Sequence, residues 1–260
     1  MNIAVIIPSR YASTRFPGKP LAEIAGKSLL ARVWAIAKSA AGVSGVYVAT
    51  DDSRIFDHAR AFGAEVVMTP ADCANGGERV LAAARLIDPR PDAVVNLQGD
   101  AALTPPWVLQ AVIDAMKADP SLPMVTAAVR LTPEQLREME ASKDSSPTSG
   151  TLVVFDRHQN ALYFSKALIP SLREPGAAQT PHYRHVGIYG YRLDVLEKLQ
   201  QLPEGPLERA EKLEQLRALE NGIPVRVVIV DYRGRTHWSV DTPEDAAKTA
   251  AIIAREGELV

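Results

Sequence analysis

Short apolar segments alternate with amphipathic segments of helix length through the first half of the chain, and this alternation limits the possible folds most strongly. Residues 2–8 and 93–97 are apolar without polar alternation, which is typical of strands buried on both faces of a sheet. Residues 28–41 carry apolar side chains at helical spacing along one face. The β-α-β-α order predicts a mainly parallel sheet with helices on both faces, because parallel strands need such crossovers.

We therefore expect a three-layer α/β/α fold with a Rossmann-like nucleotide-binding sheet. The same periodicities predict strands at 2–8, 45–50, 65–68, 93–97, 124–129 and 225–230, and helices at 28–41, 52–62, 77–87, 105–117, 207–219 and 243–255. Shorter β-like segments at 151–155, 161–164 and 183–191, with polar loops at 144–150 and 173–181, predict a small β-rich insertion. The sequence shows no linker or repeat, so residues 1–260 are expected to form one domain. Within it, a subregion at about 144–192 is expected to carry the acceptor site and a dimer contact.

Charge and cysteine content exclude several classes of protein. A formal net charge of −2 argues against a general nucleic-acid binder, which needs a basic surplus. Cys73 is the single cysteine, so an intramolecular disulfide and a cysteine-cluster metal site are excluded, and we expect it to be a packing residue. The first apolar run is too short for a signal peptide or a membrane span, which predicts a cytoplasmic protein without membrane insertion.

A basic loop follows the first predicted strand. Ligands of open α/β sheets bind at the carboxyl ends of strands, so residues 9–21 lie where a nucleotide would bind. This loop places Arg10, Arg15 and Lys19 within ten positions, together with the hydroxyl of Ser13. Three cations can offset the charge of a triphosphate. The spacing matches neither a P-loop nor a dinucleotide fingerprint, and a solvated basic loop is the alternative.

Besides the basic loop, two further segments of the chain are expected to reach the same sheet edge, and each carries an aspartate. Asp100 follows a turn after the buried strand at 93–97, and Asp241 lies at a strand-to-helix junction. Carboxylates in these positions suit Mg²⁺, which takes one or two protein carboxylates plus phosphate oxygens and water. A turn residue and a helix N-cap are the respective alternatives. No Ser-His-Asp elbow or His-Glu-x-x-His motif is present.

The loop at 9–21 resembles the signature of the 3-deoxy-manno-octulosonate cytidylyltransferases (CMP-Kdo synthetases), in which Arg-Tyr-x-Ser-x-Arg-x-Pro-Gly-Lys-Pro-Leu follows the first strand. Further motifs stand in the family's order over nearly the whole chain: Ala49-Thr-Asp-Asp52, Asn96-Leu-Gln-Gly-Asp100, Ala161-Leu-Tyr-Phe-Ser165, Arg184-His-Val-Gly-Ile-Tyr-Gly-Tyr191, Glu211-Lys-Leu-Glu-Gln-Leu-Arg217 and Val240-Asp-Thr-Pro-Glu-Asp245. Any one of these motifs is weak alone, whereas the ordered set is highly specific.

The resemblance implies a reaction and the residues that perform it. The anomeric hydroxyl of an acidic sugar attacks the α-phosphorus of CTP and releases pyrophosphate, as a step in lipopolysaccharide or capsule synthesis. Asp100 and Asp241 are implied to hold the catalytic Mg²⁺, and Arg10, Arg15 and Lys19 act with Asp100 in catalysis. A homodimer formed through residues 183–191 is also expected from the family.

The resemblance also assigns the two substrate pockets. For the nucleotide it implies the loop residues Arg10, Ser13 and Lys19 together with Asn75, Gly76, Gly77 and Arg79 of the Asn75-Gly-Gly-Glu-Arg79 turn, which a simple helix start would also explain. For the anionic acceptor it implies Gln98, Arg184, His185, Tyr189, Glu214 and Gln215. The last two are adjacent on a predicted helix and diverge by about 100°, so one of them is expected to point fully inward.

Three departures from the family pattern bear on the acceptor. Relatives usually carry an acidic or amide residue and proline where this chain has Ala101 and Ala102, and commonly a lysine near Leu152. The Ser-Gly-Thr turn of relatives begins here with Asn75. Nucleotidyl transfer is expected to be intact, with Kdo or a close relative as acceptor. A nucleotidyltransferase for a different sugar or sugar phosphate, and a weakly active nucleotide-binding paralogue, are the alternatives.

Overall fold

A computed structural model describes residues 1–145, 150–173 and 181–260. The strands are β1 (Ile3–Pro8), β2 (Glu23–Ile24), β3 (Lys27–Ser28), β4 (Gly45–Thr50), β5 (Glu65–Met68), β6 (Ala93–Leu97), β7 (Met124–Arg130), β8 (Leu152–Phe155), β9 (Ala161–Ser165), β10 (Tyr183–Arg192) and β11 (Val225–Val230). The helices are α1 (Leu29–Lys38), α2 (Ser53–Ala61), α3 (Gly76–Ala84), α4 (Pro106–Ala118), α5 (Pro133–Ser145), α6 (Leu193–Gln201), α7 (Pro206–Glu211), α8 (Leu216–Glu220) and α9 (Pro243–Glu256). The predicted loops at 144–150 and 173–181 lie largely outside the described residues.

The main sheet confirms the expected architecture. Its strand order is β11-β7-β10-β6-β1-β4-β5, and the pairs β1–β4, β1–β6, β4–β5 and β11–β7 are parallel. Alternate residues of β1 face opposite layers: Val5 and Ile7 pack with α1, α2, α4 and α9, whereas Ala4 and Ile6 pack with α3, α6 and α8. Both faces of β1 are therefore buried, which explains the absence of polar alternation in its sequence.

Strand β10 differs from the expectation that it belongs to the β-rich insertion. It lies inside the main sheet and pairs antiparallel with β6 and with β7. The register shifts between Val186 and Tyr189, where Thr126 Oγ1 lies 2.8 Å from Ile188 O. Strands β8 and β9 form an antiparallel hairpin that joins this sheet through the pairing of Leu152 in β8 with Arg184 in β10. The extent of a separate subregion at 144–192 stays a prediction.

The predicted helix at 207–219 is wrong as a single element, because α7 and α8 are separate. Lys212 adopts a left-handed backbone with φ 54° and ends α7. The carboxylate of Glu211 accepts hydrogen bonds from Ser165 Oγ at 2.6 Å and from Lys166 N at 2.9 Å. These bonds attach the end of α7 to the end of β9, so a tertiary contact interrupts a segment whose sequence alone favours one helix.

Candidate active site

A polar cleft of about 410 Å³ opens at the carboxyl ends of β1 and β6, where the topology of an open α/β sheet places its ligands. Ten of the predicted site residues line this cleft: Arg10, Ser13, Arg15, Lys19, Asn75, Gly76, Arg79, Gln98, Asp100 and Asp241. The structure thus brings together four segments that are remote in sequence. The cleft holds the predicted phosphate loop, the predicted metal carboxylates and the predicted base turn side by side.

The basic loop after β1 is closed by a turn at Gly18. Gly18 has φ 72°, a left-handed conformation that an L side chain adopts only under strain. Its N–H donates to Tyr11 O at 2.9 Å, and a short 3₁₀ helix, Lys19–Leu21, starts immediately after it. The turn directs Lys19 back towards the sheet edge while Arg10, Ser13 and Arg15 line the cleft around it.

Lys19 lies between the two predicted metal ligands. Its Nζ is 3.5 Å from Asp100 Oδ2 and 3.2 Å from Asp241 Oδ1, and it donates to Val240 O at 2.9 Å. Arg15 NH2 approaches the same Asp241 Oδ1 at 3.1 Å. The two carboxylates therefore share one ammonium, which shows that they face a common point.

Local structure presents both carboxylates to the cleft. Val240 N donates to Asp100 O at 3.2 Å, so the segment before α9 is attached directly to the turn after β6. Thr242, rather than Asp241, caps α9 by accepting from Asp245 N at 3.2 Å, and the Asp245 side chain completes a capping box. The Asp241 side chain is consequently available to the cleft. Burial raises the pKa of Asp100, the neighbouring Asp241 raises it further, and the ammonium of Lys19 opposes both effects.

The donor set at this point fits one hard divalent cation. Among the described residues there is no group of three or more His, Cys, Asp or Glu side chains arranged to hold a metal. Two carboxylates in a cleft also lined by Arg10, Arg15 and Lys19 fit the coordination of Mg²⁺, which takes one or two protein carboxylates and completes its shell with phosphate oxygens and water. Asp100 and Asp241, 29% and 35% exposed, remain accessible to such an ion.

The predicted base turn forms the start of α3. Asn75 caps this helix, with its side chain accepting from Glu78 N at 2.8 Å. Arg79 is buried and pairs with Asp51 at 3.1 Å and with Thr69 Oγ1 at 2.7 Å. These contacts attach the beginning of α3 to the ends of β4 and β5, and they fix the Asn75 turn at the cleft wall.

The predicted acceptor residues fall into three groups. Gln98 lines the cleft itself. His185 and Tyr189 project together from β10 with ring centroids 5.3 Å apart, and His185 Nε2 lies 2.9 Å from Thr126 Oγ1. Burial lowers the pKa of His185 to about 3, with a contribution from His237, so this imidazole is neutral at physiological pH. The largely buried Nε of Arg184 has no hydrogen-bond partner within the described residues.

Glu214 and Gln215 form the third group and do not line the cleft, and Gly77, which was predicted for the nucleotide, does not line it either. A β-carbon on Gly77 would lie 2.6 Å from both Gln200 Nε2 and Glu214 Oε1, so the glycine leaves room for these side chains. Gln200 Nε2 donates to Glu214 Oε1 at 3.3 Å, and burial raises the pKa of Glu214. Gln215 is the more buried of the pair, so the expectation that the two side chains differ in orientation agrees with their burial.

The sequence interpretation missed some cleft residues. Ser9 is buried in the cleft wall, and its Oγ has no hydrogen-bond partner within the described residues. Cys73 and Ala74 also line the cleft, although Cys73 was expected to be a packing residue. The position of Cys73 two residues before Asn75 is the signal that would have found it.

The parallel sheet, the basic loop after β1 and the paired carboxylates define a nucleotide-binding α/β enzyme of the nucleotidyltransferase class. The profile of the family described as Cytidylyltransferase matches residues 4–228. A 3-deoxy-manno-octulosonate cytidylyltransferase of Maricaulis maris is 55% identical over 260 residues, covering 100% of both chains. One of Syntrophotalea carbinolica is 45% identical over 261 residues, covering 97% of this chain and 99% of the relative.

Solved structures agree with this grouping. A CMP:2-keto-3-deoxy-manno-octonic acid synthetase complexed with CTP superposes with a TM-score of 0.87 at 37% identity, covering 98% of this chain and 100% of the other. A cytidylyltransferase from Leptospira borgpetersenii shares the fold, with a TM-score of 0.60 at 17% identity, covering 100% of this chain and 97% of the other. The chain belongs to the cytidylyltransferase family and, within it, to the 3-deoxy-manno-octulosonate cytidylyltransferases.

Proposed function

We propose that this protein transfers the cytidylyl group of CTP to 3-deoxy-manno-octulosonate (Kdo) or a close relative, giving the CMP-sugar and pyrophosphate for lipopolysaccharide or capsule synthesis. The observation that carries the proposal is the convergence of Lys19, Asp100 and Asp241 in a cleft that also contains the base turn at Asn75. The activity named for the 55% identical relative, and the CTP complex of the similar solved structure, support the choice of substrates.

Asp100 and Asp241 would hold Mg²⁺, with phosphate oxygens and water as the remaining ligands. When bound, this ion polarises the α-phosphate and shields its charge. The cations of the basic loop would bind the triphosphate beside these carboxylates: Arg10 and Arg15 through guanidinium forks and Lys19 as a compact charge. Ser13 adds a hydroxyl donor at the cleft wall.

The transfer itself is an in-line displacement that needs no covalent enzyme intermediate. The oxygen of the sugar hydroxyl forms a bond to the α-phosphorus, and the bond from that phosphorus to the α,β-bridging oxygen breaks. The hydroxyl proton passes to solvent water, and pyrophosphate leaves with the bridging oxygen. Charge accumulates on the departing pyrophosphate, which lies against Arg10, Arg15 and Lys19 in this arrangement. The Asn75-Gly76-Gly77 turn and Arg79 are proposed to bind the nucleoside, since all but Gly77 line the same cleft.

The acceptor is proposed to bind between Gln98 and the residues of β10. Arg184 would supply the cation for the sugar carboxylate, and neutral His185 with Tyr189 would supply hydrogen bonds without charge. Glu214 and Gln215 lie behind Gly77 and would reach a hydroxyl from that side. Leu152 is fully buried against α5 and contributes packing, so the departure at this position removes a cation from the acceptor side.

None of the helices in the described part of the chain has the length and apolar character needed to cross a bilayer. Homodimerisation and a cytoplasmic location stay predictions. For the dimer, strand β10 is paired on both sides within its own sheet, so a second copy would have to contact side chains or other segments rather than a free edge of this strand.

Pyrophosphate release tests the function. Protein is incubated with each nucleoside triphosphate and with Kdo or other 3-deoxy-2-ulosonic acids, with and without Mg²⁺. We expect release that requires CTP, an ulosonic acid and Mg²⁺ together. Release with a sugar phosphate instead would identify a different nucleotidyltransferase, and no release with any ulosonic acid would identify an inactive paralogue.

A further inference from the structure

The aromatic ring of Tyr11, in the basic loop, lies between α2 and the turn at Gly18. The guanidinium carbon of Arg54 is 3.3 Å from the centroid of this ring, a close cation–π contact. On the other side, a β-carbon at position 18 would lie 3.2 Å from Tyr11 Cε2, Cζ and Oη. The ring is therefore enclosed by an arginine from one element and by backbone from the loop itself.

Arg54 is fixed in this position by Asp52. Its Nε donates to Asp52 Oδ1 at 2.9 Å and its NH2 donates to Asp52 Oδ2 at 2.6 Å, which is a two-point carboxylate pair. Asp52 is also the N-cap of α2 and accepts from Arg54 N at 2.9 Å. The bonds from Arg54 lower the pKa of Asp52, so the pair stays ionised at neutral pH.

The ring connects directly to the phosphate-binding residues. Tyr11 O accepts the N–H of Gly18 at 2.9 Å, which closes the segment that contains Ser13 and Arg15. Lys19 follows Gly18 and reaches the two aspartates. A displacement of Tyr11 would therefore move both ends of the basic loop relative to the carboxylates.

Tyr11 and Arg54 are outside the set of side chains that line the cleft. We therefore do not expect Tyr11 or Arg54 to contact a bound nucleotide. We propose that Arg54 and Tyr11 are positioning residues, and that the Asp52–Arg54–Tyr11 contact holds the basic loop in its phosphate-binding conformation before the nucleotide arrives. The loop then loses less conformational freedom on binding than a free loop would. The identity of the nucleotide as CTP rests on the proposed function.

Steady-state kinetics test the proposal with Arg54→Gln. Because bound CTP would return the loop to the same conformation at a cost in binding free energy, we expect the KM for CTP to rise about threefold to tenfold while kcat changes by less than about twofold. Arg60→Gln is the matched control, since Arg60 is an exposed arginine of the same helix. Tyr11→Phe keeps the aromatic ring and should have the wild-type KM for CTP, whereas Tyr11→Leu should raise this KM as much as Arg54→Gln does. Equal KM values for wild type and Arg54→Gln, or a Tyr11→Phe variant as impaired as Tyr11→Leu, would overturn the proposal.

Hydrogen exchange provides a readout that uses no substrate. In Arg54→Gln the amides of residues 10–18, above all the Gly18 N–H, should exchange faster than in wild type and in Arg60→Gln, while the amides of β1 and β6 are unchanged. Unchanged protection of Gly18 would refute the positioning role even if activity fell. A wild-type protein that does not use CTP would instead refute the proposed function and leave this comparison intact.

Discussion

Replacing Lys19 by methionine separates its charge from its length, because the methionine side chain is nearly as long and carries no charge. The Lys19 ammonium is shared by Asp100 and Asp241, at 3.5 and 3.2 Å. At these distances one unit-charge pair is worth about 5 kcal/mol at an effective dielectric constant of 20 and about 1 kcal/mol in water. The three side chains are 18–35% exposed, so solvent screening reduces the upper value considerably. The substitution also removes the free-energy cost of partly burying the ammonium, which offsets part of the loss. We therefore expect Lys19→Met to lower the free energy of unfolding by about 1–2 kcal/mol at about pH 8.

The pH dependence of this loss has a defined sign. The pKa of Asp100 is raised in the folded protein by burial and by Asp241, and Lys19 opposes the rise, so removing Lys19 raises that pKa further. A carboxyl with a raised folded-state pKa destabilises the fold as the pH rises from its unfolded value through its folded value. The deficit of Lys19→Met should accordingly be largest above the folded-state pKa and should shrink on acidification.

Urea unfolding in the presence of a chelator, at about pH 5 and about pH 8, measures both effects. Lys27→Met is the matched control, because Lys27 is an exposed lysine near the same loop. A Lys19→Met protein as stable as wild type at the higher pH would show that the shared ammonium contributes nothing. An identical deficit at both pH values would show that the loss does not come from the Asp100 carboxylate.

Further predictions concern the carboxylates, the sheet and the imidazole. Asp100→Asn and Asp241→Asn should each reduce pyrophosphate release by at least about a hundredfold with an unchanged circular dichroism spectrum, and near-normal turnover in either would defeat the metal assignment. Gly190→Ala should destabilise the protein by about 1–3 kcal/mol in urea unfolding, because its β-carbon would overlap Met116 Sδ in the core; wild-type stability would mean that Met116 repacks freely. Since burial lowers the pKa of His185 to about 3, His185→Gln should leave the shape of the pH profile of kcat/KM above about pH 5 unchanged. If the wild-type profile had an inflection near pH 6.5 that His185→Gln lacked, this histidine would titrate during turnover.

The positions of Lys19 and Asp100 at one sheet edge could be predicted from the sequence, because each follows a buried strand. Asp241 was expected at a strand-to-helix junction, which is wrong, since β11 ends at Val230 and the bond from Val240 N to Asp100 O brings Asp241 to this edge. Strands β1 and β6 could also be predicted from the sequence, since a strand buried on both faces has a continuous run of apolar residues. The middle position of β10 could not be predicted, because strand order depends on pairing with residues remote in sequence.

Helix α5 shows a missed local signal. Thr132 Oγ1 accepts from Gln135 N at 3.2 Å, and Gln135 Oε1 accepts from Thr132 N at 3.0 Å. This reciprocal pair is a capping box, whose Thr-x-x-Gln pattern is readable in the sequence. The break between α7 and α8 had no such signal, because it depends on hydrogen bonds that Ser165 and Lys166, at the end of β9, donate to Glu211.

The contact between Lys19 and Asp241 joins positions that are 222 residues apart. A ribosome therefore has to add 222 residues after Lys19 before Asp241 can meet it, and a fragment that ends before Asp241 would lack this contact. Partial unfolding that detaches only the final helix and its preceding segment would remove catalytic capacity while most of the sheet stayed intact. In such a protein, loss of activity on heating should precede loss of strand signal, because the proposed metal site needs the segment before α9.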